Sequence, residues 1–209
     1  MSTLSGDQGR LRIIGGRYRG RRLLVPAQPG LRPTADRVRE TLFNWLQPVI
    51  VGAHCLDLFA GSGALGFEAA SRGAAEVLMI EHSGPVTRTL AANARILGAA
   101  QVRVRRADAL RWLARSGAPF DLVFLDPPFH AGLLAPSCAL LSERGWLAPG
   151  ALVYLETPAN QALPGLPADW TLLRDKQAGR VRFALAAAGL QRRKGLGSVD
   201  IYLVDLAKP

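Results

Sequence analysis

Few residues here can build a disulfide framework, a zinc site or a membrane anchor. The only cysteines, Cys55 and Cys138, are far apart, and the three histidines (54, 82 and 130) stand outside any metal-ligand spacing with them. Both thiols are expected to be buried and inert, with no metal bound. No apolar run approaches the roughly 18 to 20 residues that span a bilayer. The polar start MSTLSGDQGR lacks the hydrophobic stretch of a secretion signal. The expectation is a cytoplasmic protein without a membrane partner. Lysine is scarce as well: positions 176, 194 and 208 hold the only three, so 23 of the 26 basic residues are arginine. A codon preference can explain arginine over lysine but does not explain where the arginines fall. Nine of them (10, 12, 17, 19, 21, 22, 32, 37 and 39) lie in the first 39 residues against Asp7 and Asp36, a local charge of +7 within a net +10. A basic cluster of this kind suits phosphate binding, because each neutralised phosphate releases condensed counterions. It points to a polyanionic partner.

With 209 residues, 49% of them apolar and spread along the chain, one α/β domain with a small appendage is expected. The stretch LRIIGGRYRGRRLLV (11–25) reads as a basic hairpin around a Gly-Arg-Tyr-Arg-Gly turn. Pro26, Pro29, Gly30 and Pro33 mark a link, after which Thr34 is placed to cap a helix over 35–46 that buries Val38, Leu42, Phe43 and Leu46. From Cys55 onward, short apolar runs alternate with amphipathic stretches. That pattern predicts a doubly wound, mostly parallel sheet with strands at 54–58, 76–80, 101–105, 120–125, 151–156, 170–174 and 180–186. Helices are predicted at 64–72, 84–97, 108–115 and 131–143. The division expected is a basic hairpin and linker (1–33), a Rossmann-like domain (34–187) and a tail (188–209) that is either an extra edge strand through Val199 to Leu206 or a disordered extension. No self-complementary apolar stripe is evident, so a monomer is expected.

The first strand leads into Asp57-Leu-Phe59-Ala60-Gly61-Ser62-Gly63-Ala-Leu-Gly66. Glycines there let the backbone turn tightly and approach a ligand at a helix N-terminus, beyond the carboxyl ends of the strands. Glu81 ends the second strand, followed by His82, and can accept from two ribose hydroxyls. The glycines also satisfy the dinucleotide pattern GxGxxG, which leaves a dehydrogenase open. Asp57 weighs against it, since a carboxylate there repels a pyrophosphate but attracts a cationic ligand such as S-adenosylmethionine. Asp108, with Ala109, either accepts from an adenine amino group or caps the helix beginning there, and both roles are compatible.

The fourth strand ends in Asp126-Pro127-Pro128-Phe129. Two prolines turn the chain stiffly out of the sheet. An aromatic amine is a poor nucleophile because its lone pair is delocalised into the ring. If Asp126 and the Pro127 carbonyl each accept one amino hydrogen and Phe129 stacks on the base, the lone pair is held toward a methyl donor. The alternative is a structural turn with Phe129 in the core. A base inside a helix cannot present its amine this way, so the target must be unpaired or flipped, its phosphates held by the N-terminal arginines.

These stretches together resemble a known family. RIIGGRYRGRRLLVP (12–26), LRPTADRVRETLFNWL (31–46), LDLFAGSGALGFEAASRGA (56–74) and FLDPPF (124–129) are similar to the bacterial 16S ribosomal RNA guanine-N2-methyltransferases of the RsmD type, within the class I Rossmann-like methyltransferases. The resemblance implies a seven-stranded sheet with its last strand antiparallel and a small hairpin in front. It implies S-adenosylmethionine as donor, bound by Asp57, Phe59, Ala60, Gly61, Ser62, Gly63, Glu81, His82, Asp108 and Ala109, and a target amine held by Asp126, Pro127, Pro128 and Phe129. It implies 16S rRNA or a small-subunit assembly particle as partner, contacted by Arg12, Arg17, Arg19, Arg21, Arg22, Arg32 and Arg37. Thr34, Arg37, Arg39 and Glu40 would lie near the site opening, and Arg32 and Arg37 would either touch RNA phosphate or the donor carboxylate or form helix-surface salt bridges. The chain departs from the family pattern at His82-Ser-Gly-Pro85, at His130 and in its tail from about Ala187. An adenine-N6 methyltransferase and a non-catalytic RNA-binding assembly factor remain as alternatives.

Overall fold

The computed structural model describes residues 9–25, 34–128 and 131–189. Arg32, Phe129, His130, the proline-rich link and the tail from residue 190 lie outside the described residues. Strands β1 (Arg10–Arg12) and β2 (Arg22–Leu24) form an antiparallel two-stranded sheet. Helix α1 (Asp36–Leu46) follows. The main body alternates β3 (His54–Asp57), α2 (Ala64–Ser71), β4 (Glu76–Glu81), α3 (Gly84–Leu97), β5 (Val102–Arg106), α4 (Ala109–Leu113), β6 (Phe120–Leu125) and α5 (Leu134–Glu143). It closes with β7 (Leu147–Pro158), β8 (Thr171–Ala178) and β9 (Val181–Ala187).

The seven strands run in the order β5-β4-β3-β6-β7-β9-β8, and only β9 opposes the rest. This is the doubly wound sheet expected, with β9, the last strand of the described residues, antiparallel. Short apolar runs such as Leu122-Val-Phe-Leu125 form its centre because both of their faces are covered. One face buries Cys55, Val77, Met79, Phe124 and Tyr154 under α1, α2 and α3. The other buries Leu56, Ile80, Val123, Leu125 and Leu155 against α4 and α5. Both cysteines are buried, and desolvation raises the pKa of each thiol, that of Cys138 to about 12.

Several boundaries move. β7 begins four residues before the predicted 151 and continues to Pro158, paired along much of its length by β6 and β9. α5 starts at Leu134 rather than 131, and α4 is a single short turn rather than 108–115. α1 buries Val38, Leu42, Phe43 and Leu46 as expected, and it also buries Arg39. Thr34 does not cap it: Ala35 is the N-cap residue and contributes no side-chain bond. The Thr34 hydroxyl is engaged elsewhere, as the site shows.

Candidate active site

The hairpin carries its charge on one side. Leu11, Ile13, Leu23 and Val25 are buried while Arg10, Arg12, Arg17, Arg19, Arg21 and Arg22 are exposed. Period-two alternation explains this along the strands: apolar residues face the body and arginines face solvent. The hairpin is held by polar bonds as well as by its buried apolar residues. The Glu68 carboxylate, fully buried on α2, accepts from the backbone N–H groups of Ile14 (2.9 Å) and Gly15 (2.8 Å). The Tyr18 N–H donates to Ser71 Oγ at 2.9 Å, and Asn93 on α3 exchanges two bonds with the backbone of Leu24.

Arg39 joins this clip to the start of α1. Its guanidinium, 1% exposed, meets Glu68 at 3.4 Å and Asp36 at 2.6 Å, and donates to the carbonyls of Arg12 (3.0 Å) and Thr34 (3.2 Å). Arg72 completes the set with a 2.8 Å contact to Glu68. Arg39, expected near the site opening, is thus a buried cation that holds the backbone of Thr34, the partner of Asp126. Two arginines and two backbone N–H groups compensate a carboxylate that would be costly to bury alone. Arg12 stays exposed on its outer side, paired with Asp36 at 3.1 Å, while Arg37 and Glu40 are exposed on α1.

At the carboxyl ends of the strands, acidic residues collect. Asp57 on β3 is in register with Met79 of β4 and Phe124 of β6, and Glu81 and Asp126 each lie two residues farther along those strands. Even spacing puts all three on one face of the sheet. Leu125 is in register with Leu155, so Asp126 and Glu156 are the next pair outward on the β6–β7 edge, again on that face. Glu81, Asp57, Asp126 and Glu156 therefore form a row across the carboxyl ends of four adjacent strands, in the spatial order β4-β3-β6-β7. Among the described residues no lysine or arginine forms an ion pair with any of the four; the nearest base is exposed His82, 3.1 Å from Glu81.

Each acid is held by neutral donors. The Gly66 N–H donates to Asp57 Oδ2 at 3.0 Å. Gly61 and Ser83 donate their N–H groups to Glu81 at 3.0 and 2.7 Å. The Thr34 hydroxyl donates to Asp126 Oδ2 at 3.1 Å, and the Tyr154 hydroxyl to Glu156 Oε2 at 2.8 Å. Burial raises the pKa of Asp57 to about 7, and the charges of Asp126 and Glu81 add to the shift against the Gly66 bond. Burial likewise pushes Asp126 and Glu156 above the usual carboxylate range, and Asp126 raises Glu156 further. In the free site these shifts favour the neutral acids, and a cationic ligand would favour their ionised form, with no lysine or arginine among the described residues to offset it.

The loop between Asp57 and α2 shows why glycine is needed there. Gly63 has φ 78°, and a Cβ on it would stand 2.6 Å from the Phe67 ring. A Cβ on Gly66 would strike Met79 and crowd the Asp57 carboxylate at 3.1 Å. Ser62 and Ala60 are buried while Phe59 and Gly61 are partly open. Asp108 caps α4, accepting from the Arg111 N–H at 2.9 Å, and is exposed beside Ala109. Pro127 and Pro128 line a cleft of about 190 Å³ with Glu156, Thr157 and Pro158 of β7 and residues 132–135 before and within α5. Among the described residues no group of three or more His, Cys, Asp or Glu is arranged to hold a metal, and no helix is long and apolar enough to cross a membrane.

The structure thus brings Asp57, Gly61, Gly63, Glu81 and Asp126 together and places the hairpin arginines apart from them. Sequence reading missed Thr34 as a partner of Asp126, Glu68 as the clip, and Glu156. A signal for Glu156 existed: four apolar strand runs each lead into an acid, at Asp57, Glu81, Asp126 and Glu156.

Comparison with known proteins follows the same lines. The model of a family described as conserved hypothetical protein 95 matches residues 11–187. Ribosomal RNA small subunit methyltransferase D of Escherichia coli strain K12 is 54% identical over 177 residues, covering 85% of this chain and 89% of that protein. Its Haemophilus influenzae namesake is 47% identical over 182 residues, covering 85% and 94%. A solved Escherichia coli structure, described as a candidate methyltransferase, superposes with a TM-score of 0.83 at 50% identity, covering 88% of this chain and all of that one. The chain belongs to the conserved hypothetical protein 95 family, and the likeness to RsmD-type methyltransferases drawn from its motifs is borne out along most of its length.

Proposed function

We propose that this chain is an S-adenosylmethionine-dependent methyltransferase acting on the exocyclic N2 amine of a guanine in small-subunit ribosomal RNA. The observation that carries the reading is the row of four carboxyl groups, without lysine or arginine partners among the described residues, beside the glycine loop. The named relatives, ribosomal RNA small subunit methyltransferases D, support the substrate class.

When bound, S-adenosylmethionine supplies an electrophilic methyl group on a sulfonium. Asp57 would face its ammonium end, with Gly61 and Gly63 allowing close approach. Glu81 keeps lone pairs beyond those used by Gly61 and Ser83 and would accept from the ribose hydroxyls. Asp108, already a helix cap through one oxygen, has the other for the adenine amino group. Asp126 and the Pro127 carbonyl would accept the two hydrogens of the target amine and hold its lone pair toward the methyl group; Phe129 would stack on the base. Asp126, with its raised pKa, is suited to take the proton released after transfer. The exposed arginines, Arg12, Arg17, Arg19, Arg21, Arg22 and Arg37, would bind flanking phosphates, and Arg32 is proposed to join them. The protein would act as a monomer in the cytoplasm.

The test is transfer of tritiated methyl from S-adenosylmethionine to 16S RNA, naked and as a partly assembled small subunit, followed by nucleoside analysis. N2-methylguanosine is expected. N6-methyladenosine would overturn the base assignment, and no transfer to either form would overturn the activity. Asp126→Ala should lower turnover by about 10²- to 10³-fold and leave RNA affinity unchanged; a loss of RNA binding instead would assign Asp126 to the interface.

A further inference from the structure

Glu156 belongs to the acidic row, but the proposed chemistry gives it no contact of its own. It is 4% exposed on β7, with one oxygen taken by the Tyr154 hydroxyl at 2.8 Å. Among the described residues no cation pairs with it. Register places it next to Asp126 on the same face, across a strand spacing of about 4.8 Å. With Pro127, it lines the cleft that opens beyond the strand ends. Thr157, the next residue, lines the same cleft with a buried hydroxyl that has no partner. A buried carboxyl with a vacant oxygen costs stability unless a ligand satisfies it.

Building on the function proposed above, we infer that Glu156 is the residue that selects guanine, accepting the N1–H of the target base while Asp126 holds the adjacent N2 amine. The two donors of guanine's edge are neighbouring atoms, as the two carboxyl groups are neighbouring side chains. Tyr154 fixes one Glu156 oxygen and so orients the other toward the base. With Glu156 ionised, adenine in the same pose directs the lone pair of its own N1 at that oxygen, and acceptor meets acceptor. Selection between purines then rests on a like-to-like electrostatic clash as much as on a bond gained.

RNA carrying 2-aminopurine at the target position separates this from the chemistry, because that base keeps the N2 amine but has an unprotonated N1. Wild-type enzyme should methylate guanine with a kcat/KM at least about ten-fold above that for 2-aminopurine. Glu156→Gln keeps an oxygen for Tyr154 and offers an amide N–H to N1, so the preference should shrink to near unity or invert. A Glu156→Gln enzyme that folds and retains the wild-type preference would overturn the inference. If that variant does not fold, a wild-type preference near unity does the same. Wild-type enzyme that forms only N6-methyladenosine would overturn the functional reading itself, an outcome distinct from either.

Discussion

The hairpin and the carboxyl end of the sheet solve opposite electrostatic problems. The hairpin spreads its arginines into solvent, where like charges are screened and cost little, and it spends one buried acid, Glu68, to fasten itself. The sheet end does the reverse: four acids are gathered within a few strands, and burial holds at least three of them above the ordinary carboxylate range. The first arrangement is stable as it stands and attracts an anion. The second is destabilising until a cation or a hydrogen-bond donor arrives, which is how a binding site commonly differs from a structural ion network. Arg39 is the physical link between the two, bonded both to Glu68 and to the carbonyl of Thr34, whose hydroxyl reaches Asp126.

The comparison breaks most severely at Glu68. Glu68→Ala leaves Arg39 and Arg72 without their shared acid and two hairpin N–H groups without an acceptor. A loss of about 3 to 5 kcal/mol in folding stability is expected by chemical denaturation, together with faster hydrogen exchange at Ile14 and Gly15. A loss below 1 kcal/mol would mean that apolar contacts alone seat the hairpin.

At the acidic end the sign should be opposite. Asp57 binds its proton more tightly folded than unfolded, so its contribution to stability is present at low pH and is lost as pH rises from about 4 through its folded pKa of about 7. Asp57→Asn keeps an acceptor for the Gly66 N–H and removes the buried charge. At pH 8 the free variant should be more stable than the wild type by roughly 2 to 4 kcal/mol, with a flatter pH dependence and weakened affinity for S-adenosylmethionine. Thermal melts at pH 5 and pH 8 check this, and a variant less stable at pH 8 would show that Asp57 is already compensated.

The smallest effect is expected at the surface. Arg19→Glu combined with Arg21→Glu should weaken RNA binding several-fold, lower the salt dependence of that binding and leave affinity for S-adenosylmethionine unchanged. Equal binding by variant and wild type at one stated salt concentration would remove the hairpin from the interface.

Features carried by neighbouring residues were legible beforehand. The glycine loop, the Asp126-Pro-Pro turn and the buried face of α1 depend on spacings of a few residues, which period and backbone chemistry decide. Contacts across the chain were not. Thr34 precedes α1 and looks like its cap, but Phe43 packs on Phe124 with ring centroids 6.0 Å apart, and this sets the start of α1 near the end of β6. Glu68 sits in the run FEAAS, where nothing local tells a buried clip from a solvated helix face. Arg39 reads as one more member of a basic cluster, and only its seat between Glu68 and Thr34 separates it from the exposed arginines around it.

By itself the sequence determined the alternation of strands and helices, the basic front, and the acids that end four strand runs, because these follow from local periodicity, side-chain charge and position within a run. Tertiary structure decided which strands are neighbours, and hence that those acids stand side by side, that one of them meets Thr34 from 92 residues away, and that Glu156 shares an edge with Asp126. Strand order is set by how the two faces of the sheet bury their helices, a sum of many weak nonlocal contacts that no short stretch of residues contains.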